Sequence, residues 1–436
     1  MSRSGLVAAA AAAAVCLGLG STASASTVPA DQTPTWLSSS VLQSTVVGGG
    51  VTVLPTTRTV QHWFQQTTDP VNGVSYGYNM VGADPTSCPG SDCSVTIQAD
   101  ITPVNVVVDG QTFDATQLVN PLLASPLFAT NDYGSTPYGT LPGSFPSLPL
   151  DVRGPGGKLS QADAGIPLQL EDAVMRAQFG LTGKQSSYHL ILQPNIEPPV
   201  TITVPGNHSA LFTGVDGVVS PEVDRYWWGS AINNLTNSAD PTHLPIYLTN
   251  DLYLYLNDNP SHCCVIGFHG DGNHGNTGSN GNAAVQTFIW ATWQQPGSFA
   301  APNGGSKWAF QDIDTLSHEV SEWADDPFLD NTVNPWSSQS NPGYGCVGLL
   351  ETGDPVTGVG FAMGHNTYAQ GPNPDGTHSA DGYYHPEDEA FLPWFIQLAP
   401  NLISEPTQHN SADVGRYSFM GDLNPYAGSR QPANGC

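Results

Sequence analysis

The stretch Asp312-Ile313-Asp314-Thr315-Leu316-Ser317-His318-Glu319-Val320-Ser321-Glu322-Trp323-Ala324, followed by Asp325-Asp326-Pro327, decides the reading of this chain. Asp312 or Asp314 can cap a helix there, Ile313, Leu316 and Val320 fall on one face, and Pro327 lies beyond the end. The spacing predicts a helix over 312–324. A helix sets positions i and i+4 on one face, so His318 and Glu322 can both point at one metal ion. Glu319 lies about 100° around the axis from His318, close enough to act on a water held by that ion. With no metal, the same residues would be solvated groups on an exposed helix.

This is the spacing of the zinc-peptidase helix, in which two histidines bind zinc and the glutamate between them is the general base. Glu322 stands where the second histidine would be. A carboxylate adds negative charge and weakens the pull of the metal on its water, yet it is an acceptable zinc ligand. A third ligand is expected downstream, where Cys346-Val347-Gly348-Leu349-Leu350-Glu351-Thr352-Gly353-Asp354 carries two carboxylates on a segment tied by a cysteine. Glu351 is the preferred third ligand. Asp354 is an alternative, either as that ligand or as a partner fixing the His318 tautomer, and both acids also fit turn positions. His269 closes the apolar run Cys263-Cys264-Val265-Ile266-Gly267-Phe268 and either lines the cleft, binds the metal or satisfies a backbone carbonyl. His365, His378 and His385 lie in Gly/Pro/Asn-rich sequence and are not expected as ligands. Glu387, Asp388 and Glu389 precede an aromatic segment, Phe391 to Leu398, and read as the acidic first turn of a helix.

Outward from the site helix, β-branched and aromatic runs predict strands at Ala284 to Trp293, Leu244 to Leu256, Val200 to Val204 and Tyr188 to Leu192, with a Gly/Asn-rich loop over 270–282. Leu168, Leu170, Ala173, Val174 and Ala177 recur at helical spacing and Gly180 closes that segment. Farther upstream, Ser94 to Ile97 and Val104 to Val108 read as strands, and Asp109-Gly110 as a turn between strands. Nothing repeats at a fixed period.

Arg3, the apolar run Leu6 to Leu19 and Ala23-Ser24-Ala25 form an export signal, and the run is shorter than the roughly 20 residues of a spanning helix. The mature chain is therefore expected to be secreted and not membrane-bound. Signal removal takes Cys16 and leaves Cys88, Cys93, Cys263, Cys264, Cys346 and Cys436, an even set suited to disulfides. Cys88 and Cys93 flank a turn sequence and are expected to pair. The adjacent Cys263 and Cys264 do not readily bond to each other, so Cys346 and Cys436 are their expected partners. A net charge of −27 with ten Lys and Arg repels phosphate backbones and anionic membranes, so nucleic acid is excluded as a partner. Only 11% of residues are charged against 39% hydrophobic, which rules out a disordered acidic tail.

Asp314, His318, Glu319, Glu322 and Asp326-Pro327, with Trp336, Cys346, Glu351 and Asp354 beyond, resemble secreted bacterial zincin-like proteins. They are also similar to the plant phosphate-induced, EXORDIUM-like extracellular family, as is the Cys263-Cys264 to Phe268-His269-Gly270 stretch. The resemblance covers roughly 245–355. It implies an α+β, zincin-like metallopeptidase-type domain, with His318 and Glu322 as zinc ligands and Glu319 as base. Four segments are expected: a signal peptide over 1–25, a linker or propeptide-like lead-in over 26–58, a mainly β region over 59–155 and the zincin-like domain over 156–436. The expected function is that of a secreted zinc hydrolase acting on a polypeptide. The alternative is a non-catalytic protein binding an extracellular polymer on the same scaffold. An acid protease with paired carboxylates finds no local motif.

Overall fold

The computed structural model describes residues 44–47, 50–53, 56–88, 93–132, 167–179, 187–214, 217–272, 283–295, 298, 310–337, 346–358, 360, 361, 363–368, 382–396, 418 and 419. The export signal, most of the lead-in, His378, Cys436 and most of the Gly/Asn-rich loop lie outside the described residues. What is described is mixed α+β, mostly strands with few helices, and the sheets curl.

Five strands organise the main sheet: β1 (Cys93–Val108), β2 (Tyr188–Ile196), β3 (Leu244–Asn250), β4 (Gly267–Gly272) and β5 (Ala283–Trp293). Their order is β2-β1-β3-β5-β4, parallel from β2 to β5, with β4 antiparallel to β5. Three helices attach to this framework: α1 (Leu170–Gln178), α2 (Arg225–Thr236) and α3 (Asp314–Asp325).

The pleat explains which face each residue serves. Alternate side chains of a strand point to opposite faces. On β5, Val285, Ile289, Ala291 and Trp293 enter the larger core, where Leu316, Val320 and Trp323 of α3 also lie. Phe288 and Trp290 point the other way, into a second core with Trp228 and Ile232 of α2. β1 serves both cores in turn: Val95, Ile97, Ala99 and Ile101 enter the first, Val104, Val106 and Val108 the second. This double use makes one long strand of two segments that read as separate strands in the sequence. Asp109 and Gly110 both have positive φ, 49° and 77°, and turn β1 into the short strand Gln111–Phe113.

The apolar run Leu244 to Leu256 divides instead of continuing. Asp251 adopts φ 50°, which breaks the extended backbone after β3. The chain then re-enters a four-stranded sheet at Tyr253–Leu256, beside Val219–Asp224 and Asn259–Val265. α2 is absent from the sequence reading. The local signal for it is Asp224, whose carboxylate accepts the Trp227 N–H as an N-cap.

Cys88 pairs with Cys93, as the intervening turn sequence suggests. Cys263 and Cys264 pair with each other, which corrects the expectation of distant partners. The peptide between them is cis and sets their Cα atoms 3.0 Å apart. Cys346 is also disulfide-bonded.

Candidate metal centre

The site helix α3 starts two residues later than its sequence suggests. Neither Asp312 nor Asp314 caps it: the N-cap is Ile313, without a side-chain hydrogen bond, and Asp314 occupies the first turn. Asp312 is held by His385, its Oδ2 lying 2.8 Å from Nδ1 and its Oδ1 accepting the His385 N–H at 2.9 Å. Nearly every residue of α3 is buried, polar ones included. Thr315 donates to Gln294 Oε1 at 3.0 Å and Trp323 Nε1 to Thr287 Oγ1 at 3.0 Å, so the helix is pinned to β5 and its continuation by polar contacts as well as by packing.

β4 brings the first partner. His269 lies opposite Ile289 in the antiparallel pair, on the face that carries α3, while Phe268 points into the second core. Gly267, two residues earlier on the same face, lets the helix come close. A Cβ there would lie 2.6 Å from Glu319 Oε1 and 2.6 Å from Thr315 Cγ2. In consequence His269 Nδ1 lies 3.4 Å from Glu319 Oε2 and 3.4 Å from Glu322 Oε2.

One helical turn brings the second. His318 Nε2 lies 3.1 Å from Glu322 Oε1, the i,i+4 pairing anticipated from spacing. Its other nitrogen, Nδ1, lies 2.9 Å from Glu387 Oε2, and the Gly358 N–H donates to Glu387 Oε1 at 2.5 Å. The Glu387 N–H in turn donates to Ser317 Oγ at 2.9 Å. Glu387 thus fixes the proton on Nδ1 and leaves Nε2 facing Glu322. This corrects the reading of Glu387 as part of a helix start: the following helix begins only at Leu392 and has no acid in its first turn.

The third partner is the segment after Val347–Leu349. Gly353 packs so tightly on α3 that a Cβ would lie 2.3 Å from His318 Nδ1, and its N–H donates to Glu322 Oε1 at 3.2 Å. Glu351 Oε2 comes 3.9 Å from His269 Nε2, and Asp354 Oδ1 comes 3.9 Å from His318 Nε2. Asp354 therefore sits on the Nε2 side, and the role of fixing the tautomer falls to Glu387. At this centre two sets of three donor groups lie within 4.8 Å of one another: His318, Glu319 and Glu322, and His269, Glu322 and Glu351. Glu322 belongs to both. Glu351 joins His269 and Glu322 in this way. His365 is exposed and belongs to neither set.

These residues suit a divalent cation. Donors bound at about 2.0–2.1 Å to a tetrahedral ion stand about 3.3 Å apart, close to the contacts of 3.1 to 3.4 Å around Glu322. His269 Nε2 is buried with no hydrogen-bond partner among the described residues. Buried polar atoms are rarely left so unless something else satisfies them.

The electrostatics point the same way. Burial opposes ionisation of Glu322, yet the charge of His318 and hydrogen bonds from His269 and His318 hold it well below the usual carboxylate range. Burial alone would lower the His318 imidazole, but the charges of Glu322 and Glu387 hold it well above its ordinary value. His269 is raised as well, its burial outweighed by contacts to Glu319 and Glu322. Burial, followed by the charge of Glu322, pushes Glu351 well up and Asp354 up to about 8. With no cation, the cluster keeps protons that a metal would displace. Side-chain exposure of 16% at Glu351 and 23% at Asp354, against 4–6% at His269, Glu319 and Glu322, marks the side from which solvent reaches the centre.

No protein-family model matches this chain, and neither a curated protein nor a solved structure matches it. The resemblance carried by the site helix and the cysteine-flanked segments rests on those residues alone.

Proposed function

We propose that this protein is a secreted, zinc-dependent hydrolase of zincin-like type, acting on polypeptides. The observation that carries the reading is the buried convergence of His269 and His318 on the two oxygens of Glu322, with Glu319 Oε2 3.4 Å from His269 Nδ1 beside them. Of the ligands anticipated from the sequence, His318 and Glu322 share one donor set, while Glu351 shares Glu322 with His269 in the other. A zinc ion held there supplies Lewis-acid polarisation of a carbonyl and lowers the pKa of water.

The chain's own residues do the rest. Glu387 keeps the His318 proton on Nδ1, so that Nε2 presents a lone pair. Burial raises Glu319 above its ordinary range, which suits a general base that takes the proton of the attacking water and passes it to the leaving amine. Glu351 and Asp354, the more exposed acids, border the approach of the substrate. The apolar Leu6 to Leu19 run and the Cys88–Cys93 bridge support export to an oxidising compartment.

The test is metal analysis and peptide hydrolysis on the purified mature chain. Zinc is expected in the preparation, and Glu319→Gln is expected to lower turnover about 10²- to 10⁴-fold with metal content unchanged. Full activity in Glu319→Gln would remove the base. No zinc even after reconstitution would leave the competing reading, a non-catalytic binding protein.

A further inference from the structure

We propose that the centre holds two divalent cations, with Glu322 as the carboxylate that bridges them. The inference rests on the metal-dependent reading above and goes beyond it in nuclearity. The two oxygens of Glu322 face different imidazoles: Oε1 lies 3.1 Å from His318 Nε2, and Oε2 lies 3.4 Å from His269 Nδ1. Glu322 also belongs to both donor sets, one with His318 and one with His269 and Glu351, so it offers an oxygen to either side. Each ion has further donors of its own. On one side stand His318 Nε2 and Asp354 Oδ1, 3.9 Å apart. On the other stand His269 Nε2 and Glu351 Oε2, also 3.9 Å apart.

An observation independent of this cluster of acids points to a ligand on the His269 side. The Nε2 atom of His269 is buried and has no hydrogen-bond partner among the described residues, although its side chain is only 4% exposed. A single ion on His318 and Glu322 Oε1 would leave that nitrogen unmet. Charge favours the pair as well. Glu319, Glu322, Glu351 and Asp354 face the centre, whereas Glu387 is satisfied separately by His318 Nδ1 and the Gly358 N–H. When ionised, four carboxylates with two neutral imidazoles balance two dications, and one dication leaves the buried site doubly negative. Glu319 lies beside both halves, grouped with His318 and Glu322 and 3.4 Å from His269, so one base serves either ion. The donor set of imidazole and carboxylate fits zinc and, second, manganese.

The full mature chain is stripped with chelator, titrated with Zn²⁺ alone, and its bound metal counted by elemental mass spectrometry. Two zinc ions per chain are expected, falling to one in His269→Ala and in Glu351→Gln. Mn²⁺-loaded wild type, read by electron paramagnetic resonance, is expected to give the exchange-coupled spectrum of a bridged pair. One ion per chain, unchanged by His269→Ala, with a spectrum of isolated Mn²⁺, overturns the bridged pair and leaves the mononuclear hydrolase standing. No bound ion overturns both. If His269→Ala does not fold, as judged by circular dichroism, the wild-type count and the Mn²⁺ spectrum decide alone.

Discussion

Replacing Gly353 by alanine tests whether the segment after Val347–Leu349 really lies against the site helix. Gly353 has φ −77° and ψ −36°, a conformation open to any residue, so the added methyl costs nothing in the backbone. Its cost is contact: the Cβ would lie 2.3 Å from His318 Nδ1 and 2.6 Å from Cε1 and Cγ of the same ring. Relief needs a shift of about 1 Å to reach an ordinary carbon contact of about 3.5 Å. The ring cannot simply retreat, because Glu387 holds Nδ1 at 2.9 Å and Glu322 lies 3.1 Å from Nε2. Forcing a methyl into a filled site costs about 1–3 kcal/mol. Taken wholly from metal binding, that is about 5- to 150-fold in affinity. The assay is a zinc titration against a chromophoric chelator, run beside urea unfolding of the metal-free chain, so that lost affinity and lost stability are read separately. Gly348→Ala is the control, since nothing lies within 4 Å of a Cβ built there. If Gly353→Ala binds zinc and unfolds like the wild type, the packing of this segment on His318 is refuted.

Glu387→Gln should weaken zinc binding by about 10- to 100-fold in the same titration, because the carboxylate that orients His318 is replaced by a weaker acceptor; an unchanged affinity would deny Glu387 that role. Gly267→Ala should impair turnover more than folding, since its Cβ would meet Glu319 Oε1 at 2.6 Å, and equal kcat in variant and wild type would refute it. Glu222, buried on Val219–Asp224, is pushed up to about 7 by burial. A raised folded pKa favours the protonated carboxyl, so its contribution is intact below about 4.5 and is lost as pH rises through about 7. Glu222→Gln should therefore flatten the fall in unfolding midpoint between pH 4.5 and 7, and a variant as steep as wild type would exclude Glu222 as its source.

The sequence carried the local part of the centre and missed the parts that need a sheet. His318 and Glu322 share a face because of helical pitch, a relation that spacing alone expresses, and the structure has them 3.1 Å apart. Glu351 and Asp354 were legible as acids on a tethered segment. Their division between His269 and His318 depends on how Gly353 packs across α3, which no local rule encodes. His269 remained open because the direction of a strand residue depends on pairing register, here its position opposite Ile289. Glu387 was misread for a related reason: three acids before an aromatic run look like a helix start, but the backbone there forms a bridge to Gly360, and the side chain crosses to His318. In the fold, the strands at Tyr188, Leu244 and Ala284 were visible from composition. The break at Asp251 and the fusion of two segments into β1 were set by tertiary burial on opposite faces.

The short strand Thr56–Arg58 pairs in parallel with Ala283–Val285 at the start of β5, and Arg58 reaches Asp330 and lies 4.2 Å over the Phe328 ring. That places the end of the supposed leader against the main sheet. A maturation protease that trimmed the chain through residue 58 would remove the strand paired with the start of β5 and strip the clamp from the segment that follows the site helix. Useful trimming must therefore stop short of Thr56, and a recombinant version begun beyond Arg58 is expected to loosen first at the start of β5 and around Asp330.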